Sequence, residues 1–269
     1  VSADALLDCL LQVSEAANNH FPRQSKYALL LALGEYGLDE IPQSRRESFL
    51  KKVADWYRHD TSSGVHSAAG WLLRQWGQTA VVREVDQTPV AFSPNREWFT
   101  LAIPVTPELG RLAAFFRSKP APRTFYYTFV VFPAGTYTVG SAHDEPDRGK
   151  NETQHTVRLT RPFAILDRTI TFEELIAFSP QYANFMDQID AKPEDAGAAA
   201  DWYDSVNFCR WLSQRWGMPE ADQAYAAPES LIKAGYAREP NPGAEWAPRD
   251  WPVELGRRGF RLPTEAEWE

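Results

Sequence analysis

The chain has 269 residues, of which 43% are hydrophobic, and this is enough material for two domains with sizeable cores. Its formal net charge of −8 argues against a nucleic-acid partner, because proteins that bind nucleic acids carry basic surfaces. We find no apolar run of about eighteen residues, the length that a membrane span needs. The two cysteines, Cys9 and Cys209, are too distant for a CxxC motif and too few for a disulfide framework. A soluble protein is therefore expected, and the compartment stays open with the cytoplasm slightly favoured.

Residues 1–77 are predicted to form four helices, because apolar residues recur there at helical spacing. Pro42 is predicted to open the third helix, and Gly37 and Gly77 to end the second and the fourth. The predicted apolar stripes are Ala5, Leu6, Cys9, Leu10 and Val13; Tyr27, Leu30 and Leu31; Phe49, Leu50, Val53, Trp56 and Tyr57; and Val65, Ala68, Ala69, Leu72, Leu73 and Trp76.

Two helix pairs at a spacing of roughly 40 residues are typical of HEAT-like repeats. Arrays of this kind need about three repeats to bury their stacking faces. We therefore expect either further repeats before Val1 or a second domain that covers the open end. Such helical scaffolds commonly bind proteins, so a protein or peptide partner is expected.

Residues 78–122 are predicted to be a connector with local structure. A valine-rich stretch at 81–85 favours a strand, and the apolar residues of 98–103 favour another. A short helix is predicted over 109–116. Several prolines divide this segment, which is why no single long element is expected there.

Residues 123–269 are predicted to form a separate domain of mixed composition. Alternating apolar residues over 127–132 indicate a buried strand. The turn residues 133–135 and the renewed alternation over 137–139 then predict a β-hairpin.

Two further strands are predicted over 157–166. Thr171 followed by Glu174 is a capping-box arrangement, in which a hydroxyl and a carboxylate each satisfy a free backbone amide at a helix start. A helix of about four turns that ends at Gly217 is predicted next, because apolar residues recur there at helical spacing: Trp202, Val206, Cys209, Leu212 and Trp216.

The last part of the chain combines a long irregular segment, 218–258, with a short strand predicted at 260–262. Thr264 and Glu267 form a second capping-box pattern. Only one turn of this helix is present, and isolated helices shorter than about 12 residues are marginal in water. We therefore expect the natural polypeptide to continue beyond Glu269.

Residues 259–269 resemble a signature in the middle of the formylglycine-generating enzyme (sulfatase-modifying factor) family. Three other segments, 131–141, 144–157 and 202–212, resemble parts of that family in the same order. The resemblance does not extend to the N-terminal helices. It implies an irregular C-type-lectin-like fold. The expected fold class is thus α+β, with an all-helical HEAT-like segment followed by a truncated formylglycine-generating-enzyme-like domain.

The resemblance also implies an activity. Active members of the family oxidise a protein cysteine to formylglycine with molecular oxygen, copper and a pair of cysteines. That pair lies well beyond the signature, so no catalytic or metal-binding residue is expected within this chain. Copper, and structural calcium, are expected only in the full-length domain.

Two other functions remain open at this point. One is a non-catalytic binding module on a helical-repeat scaffold, because a fold does not determine a function. The other is a non-haem-iron sulfoxide synthase. This second alternative is disfavoured, because His20, His59 and His66 do not form the His-x-x-x-His-x-Glu pattern of those enzymes.

Several residues with reactive side chains have simpler structural interpretations. Cys209 falls on the apolar face of its helix and is expected to be a buried, unreactive thiol. Arg261 and Glu265 are expected to anchor a loop and cap a helix. A solvated loop is expected for a set of possible metal ligands that lack convergent spacing: His143, Asp144, Glu145, Asp147 and His155.

A group of aromatic residues in and around the long irregular segment has two interpretations. These residues could form an exposed recognition surface, or they could hold the segment against the domain. The sequence leaves both interpretations open for Tyr225, Tyr236, Trp246 and Trp251.

Overall fold

The computed structural model describes residues 2–15, 23–105, 122–233 and 251–268. The chain divides into two compact units. The first consists of Val1–Ala102, Tyr126–Pro133 and Arg161–Asp167, and the second of Ile103–Phe125, Ala134–Thr160 and Arg168–Glu269. Within the described ranges, no helix is long and apolar enough to cross a membrane.

The first unit begins with the predicted helices. They are α1 (Ala3–Glu15), α2 (Arg23–Leu33), α3 (Gln43–His59) and α4 (Ser63–Gln75), followed by α5 (Thr79–Asp86). Their shared core is apolar and includes Leu7, Leu10, Leu30, Leu33, Phe49, Val53, Leu72 and Leu73. The helical N-terminal region is therefore confirmed, whereas its assignment to HEAT-like repeats remains a prediction.

Two details of these helices differ from the prediction. Helix α1 buries Ala3, Leu7 and Leu10, whereas Cys9 is exposed, so the buried face is rotated from the predicted stripe. Gly37 does not cap α2: its φ of −67° is ordinary, and it precedes a short 3-10 turn, Leu38–Glu40. Gly77 has a φ of +70° directly after α4, as a glycine that ends a helix requires.

The valine-rich stretch forms a helix, α5, and not the predicted strand. Val82 and Val85 lie three residues apart and are both buried in the helical core. A strand would instead place Val81, Arg83 and Val85 on one face, which would bring a charged side chain toward the core. Packing against the neighbouring helices therefore decides the conformation of this stretch.

A three-stranded sheet belongs mainly to the first unit. Its strands are β1 (Trp98–Val105), β2 (Arg123–Phe132) and β5 (Phe163–Leu166), in the order β1-β2-β5. Strands β2 and β5 are antiparallel, with Phe132 opposite Phe163. The strand predicted at 98–103 is confirmed, and the helix predicted at 109–116 lies outside the described residues.

The predicted β-hairpin is wrong. Strand β3 (Gly135–Val139) pairs antiparallel with β4 (His155–Leu159) in a separate sheet. Both edges of β2 are already occupied by β1 and β5, so β3 has no edge of β2 to pair with. A short turn between two strands therefore does not identify their partners.

The second unit also contains short helices. They are α6 (Phe172–Phe178), α7 (Tyr182–Gln188), α8 (Trp202–Arg215), α9 (Pro228–Lys233) and α10 (Glu265–Trp268). The capping box of α6 is confirmed, because Thr171 N donates to Glu174 Oε2 at 2.7 Å and Glu174 N donates to Thr171 Oγ1 at 3.4 Å. Gly217, with a φ of +79°, ends α8 as predicted. These elements give the mixed α+β architecture expected.

Candidate functional site

The signature segment, residues 259–268, is held by hydroxyl groups rather than by a neighbouring strand. Phe260 N donates to Ser213 Oγ at 2.9 Å, and Leu262 N donates to Tyr225 Oη at 3.3 Å. Ser213 is itself fully buried on α8. The strand predicted at 260–262 is therefore wrong, because these amides bond to side chains.

Gly259 is the first residue of the signature segment, and its backbone lies close to the backbone of residues 223–224. A Cβ at this position would lie 2.6 Å from Ala224 N and 2.7 Å from Gln223 Cα. Its amide donates to the Asp222 carbonyl oxygen at 2.9 Å. Glycine is required here because backbone atoms, unlike the ends of flexible side chains, cannot move aside.

Arg261 and Glu267 form the charged centre of the segment. Two parallel hydrogen bonds of 2.6 Å join the guanidinium to the carboxylate, and the side chains are only 15% and 6% exposed. Thr264 N donates to Glu267 Oε2 at 2.9 Å, which is the carboxylate half of the predicted capping box. The Arg261 guanidinium lowers the pKa of Glu267 to about 2. Arg261 therefore anchors the loop, as expected, while Glu267 rather than Glu265 caps α10.

Cys209 lies beneath the signature segment in a small apolar core. It packs with Val206, Leu231 and Trp251, and burial raises the pKa of its thiol to about 12. The thiol is thus protonated at neutral pH and has little nucleophilic character. This burial agrees with the structural interpretation of Cys209.

Tyr225 and Trp251 are buried, so the exposed recognition surface is wrong for these two residues. They are 4% and 5% exposed, and their rings make an edge-to-face contact at 6.3 Å. Trp251 Nε1 donates to the Ala226 carbonyl oxygen at 3.0 Å. Both residues therefore hold the irregular segment in place, whereas Tyr236 and Trp246 lie outside the described residues.

Sequence reasoning missed Arg210, which is buried on α8. Its guanidinium donates to both carboxylate oxygens of Glu220 at 3.0 Å and to the Tyr225 carbonyl oxygen. Only 7% of its side chain is exposed. The apolar stripe predicted for α8 did not indicate a buried arginine. The two ends of that stripe, Trp202 and Trp216, are 45% and 41% exposed.

We call the signature segment together with Cys209, Arg210, Tyr225 and Trp251 the signature cluster.

The polar loop between β3 and β4 is held by its own hydrogen bonds. Arg148 donates to the carbonyl oxygens of Ser141 and Glu152 at 3.1 and 2.8 Å. The described residues contain no group of three histidine, cysteine, aspartate or glutamate side chains that could hold a metal ion. The possible ligands His143, Asp144, Glu145, Asp147 and His155 therefore do not converge.

The histidines of the first unit have separate environments. His66 is buried and stacks on Trp98 with ring centroids 3.7 Å apart, and its Nδ1 donates to the Tyr57 carbonyl oxygen at 2.7 Å. Burial lowers the pKa of His66 to about 4. His59 is exposed and contacts Asp55 on the same helix at 2.8 Å. His20 lies outside the described residues.

The architecture and the signature cluster define an α+β domain whose irregular segments are fixed by buried side chains, among them Arg210 and the Arg261–Glu267 pair. Residues 115–269 match the model of the sulfatase-modifying factor enzyme 1-like domain. This match covers more than half of the chain, so the chain belongs to that family.

One solved structure, PvdO from Pseudomonas aeruginosa, is similar at 22% identity, with 45% of this chain and 54% of that chain covered. Its TM-score of 0.25 is too low to support an argument about fold or function. The search of curated proteins gave no match.

Proposed function

We propose that the protein carrying this chain oxidises a cysteine of a protein substrate to formylglycine, and that this chain supplies the structural frame of the domain. Membership of the family over residues 115–269 supports this proposal. The observation that carries it is this match, and the bidentate Arg261–Glu267 pair holds the matched signature segment in one conformation. Reactions that need exact positioning depend on rigid supporting residues, and a buried charged pair provides that rigidity.

The described residues act as support and not as reacting groups. Arg261 and Glu267 are engaged with each other, and Cys209 is a buried, protonated thiol. A protonated thiol does not fit as a thiolate ligand of copper, so we assign no step of the reaction to a metal held by Cys209.

The test uses the protein produced from its complete gene. The protein is supplied with copper, oxygen and a thiol reductant and incubated with a cysteine-containing peptide, and the aldehyde is trapped with a hydrazide and detected by mass spectrometry. Conversion of the thiol to an aldehyde and sulfide releases two electrons, and the reductant supplies the two further electrons that reduce oxygen to water. We expect an aldehyde at the peptide cysteine and none with the matched serine peptide. Absence of the aldehyde from well-folded, copper-loaded protein would contradict the proposal.

A second candidate function is a non-catalytic module that binds a protein or peptide. The observation that favours it is the helical first unit, since stacked helices commonly serve as protein-binding scaffolds. In this case the complete protein would retain the cysteine and serine peptides equally and would release both unmodified. Equilibrium binding of the two peptides, measured beside the aldehyde assay, separates the two functions.

A further inference from the structure

The first unit has an open groove beside α3, lined by residues of α3, α4 and α5. Its volume is about 420 Å³, and its floor is formed by Leu50, Ala54, Leu73 and Val81. Ala54 and Leu73 already belong to the core of the unit, so Leu50 and Val81 provide the apolar area that a partner would cover. The groove alone does not identify that partner, but the charges that line it do.

Four charged or titratable side chains line the groove at intervals of four residues along α3: Glu47, Lys51, Asp55 and His59. Residues at this spacing lie on one face of a helix. Lys51 Nζ lies 2.7 Å from Glu47 Oε1, and His59 Nδ1 lies 2.8 Å from Asp55 Oδ1. All four side chains are 65–85% exposed, so they are accessible to a partner. A fifth charged side chain, Arg58, also lines the groove and bonds to Glu84 of α5 at 2.9 Å.

Along α3 these groups alternate: acid, base, acid, base. When two copies of the helix lie antiparallel, each acid therefore lies opposite a base of the other copy. A second copy of α3 in antiparallel orientation would place Lys51 of each copy opposite Asp55 of the other. The same rotation would place Glu47 near His59, but the Nδ1–H of His59 donates to Asp55 of its own helix, so the two Lys51–Asp55 contacts are the ones on which the pairing depends. A parallel copy in register would place like charges together, so the pattern selects the antiparallel arrangement.

We propose that this face of α3 binds the same face of a second copy of the chain, with a two-fold axis between Lys51 and Asp55. An interface of this kind is isologous, because each residue contact occurs twice. The proposal does not depend on the enzymatic function proposed above.

The dimer is expected to be weak and sensitive to salt. Helix α3 has 17 residues and is therefore about 25 Å long, so one helix pair gives an interface at the small end of the usual range. Exposed ion pairs contribute little individually and are screened by salt. Each charge substitution nevertheless acts twice, because of the symmetry.

Sedimentation equilibrium of the full chain at low salt tests the proposal. Lys51→Glu and Asp55→Lys each create two like-charge contacts and are expected to weaken the dimer by about tenfold or more. The double variant, Lys51→Glu with Asp55→Lys, restores opposite charges across the axis and is expected to recover the wild-type association constant. Lys150→Glu, the same charge change at an exposed site in the second unit, is the matched control and should have no effect.

Circular dichroism of each variant checks that the helices remain folded. Lys51→Ala removes the charge without reversing it, and we expect a smaller loss of association, about threefold. This milder variant keeps the test informative if Lys51→Glu reduces helicity. A chain that stays monomeric at all concentrations, or a dimer whose association is unchanged by the single reversals, would overturn the proposal. A double variant as weak as the single ones would overturn it as well.

Discussion

The first unit holds its helices together mainly with apolar contacts, whereas the second unit also holds irregular chain with hydrogen bonds from buried polar and charged side chains. Leu7, Leu30 and Leu72 are completely buried in the helical core. In the signature cluster the buried groups include the guanidinium groups of Arg210 and Arg261. Helices satisfy their own backbone groups, but irregular chain needs side chains to do so. The comparison predicts different responses to mutation and to pH in the two units.

The largest effect is expected from Arg261→Ala. This substitution leaves the carboxylate of Glu267, which is 6% exposed, without its guanidinium partner. Breaking a buried ion pair from one side costs about 3–5 kcal/mol. Urea denaturation of the full chain, followed by tryptophan fluorescence, measures the change in the free energy of unfolding.

The matched control for that experiment is Arg258→Ala. Arg258 also bonds to a carboxylate, that of Asp222 at 2.7 Å, but its side chain is 81% exposed. Exposed pairs contribute about 0–1 kcal/mol, so this variant should be close to wild type. Equal losses in the two variants would show that the Arg261 pair has no special structural role.

A somewhat smaller effect is expected from acid titration of the first unit. The pKa of His66 is about 4 in the folded chain and 6.5 in the reference state, so the unfolded chain binds the proton first. Protonation of His66 therefore favours the unfolded chain, so this effect is absent above pH 6.5 and the free energy of unfolding decreases as the pH falls from 6.5 to 4. The shift corresponds to about 3 kcal/mol.

The measurement for His66 is the free energy of unfolding of the first unit between pH 7 and pH 4, in wild type and in His66→Phe. Phenylalanine preserves an aromatic ring beside Trp98 but does not titrate. The variant should show a shallower dependence on pH over this range. An unchanged slope would mean that His66 is not the group responsible.

In the second unit the loss of folding stability on acidification is expected at lower pH. The pKa of Glu267 is lowered from 4.5 to about 2, so its contribution is present above pH 4.5 and is lost as the pH falls to 2. The shift corresponds to at most about 3 kcal/mol. Glu267→Gln should remove this dependence while preserving the shape of the side chain. The two pH ranges therefore allow the units to be distinguished in one acid titration.

The smallest effect is expected at the start of α6. Thr171→Ala removes the hydroxyl that caps the helix and also donates to Glu174 Oε2 at 3.0 Å. Loss of such a cap costs about 1 kcal/mol. Thr169→Ala, at a nearby exposed threonine, is the control and should be near neutral. Equal melting temperatures for the two variants would exclude a role for the Thr171 cap.

The comparison of the two units also explains which features could be predicted from the sequence. The helices α3, α4 and α8 were predicted because their apolar spacing is a local property. The capping box at Thr171 and Glu174 is equally local, since its partners are three residues apart. The same is true of Gly77 and Gly217, whose positive φ values follow from their places at helix ends.

The features that escaped prediction depend on partners distant in sequence. The conformation of Val82 and Val85 depends on a core formed by four other helices. The partner of β3 is β4 rather than its neighbour β2. Arg210 reaches the carbonyl oxygen of Tyr225, fifteen residues away, and no spacing rule identifies such a bond.

The central proposal is that the second unit is the structural frame of a cysteine-oxidising domain and that the Cys209 thiol is not a reacting group. The most direct test is the rate of aldehyde formation on a cysteine peptide by the complete copper-loaded protein, wild type and Cys209→Ala. We expect aldehyde from both proteins, at similar rates per folded molecule, because Cys209 is buried and protonated. No aldehyde from the wild type, or its loss in a folded Cys209→Ala variant, would contradict this account.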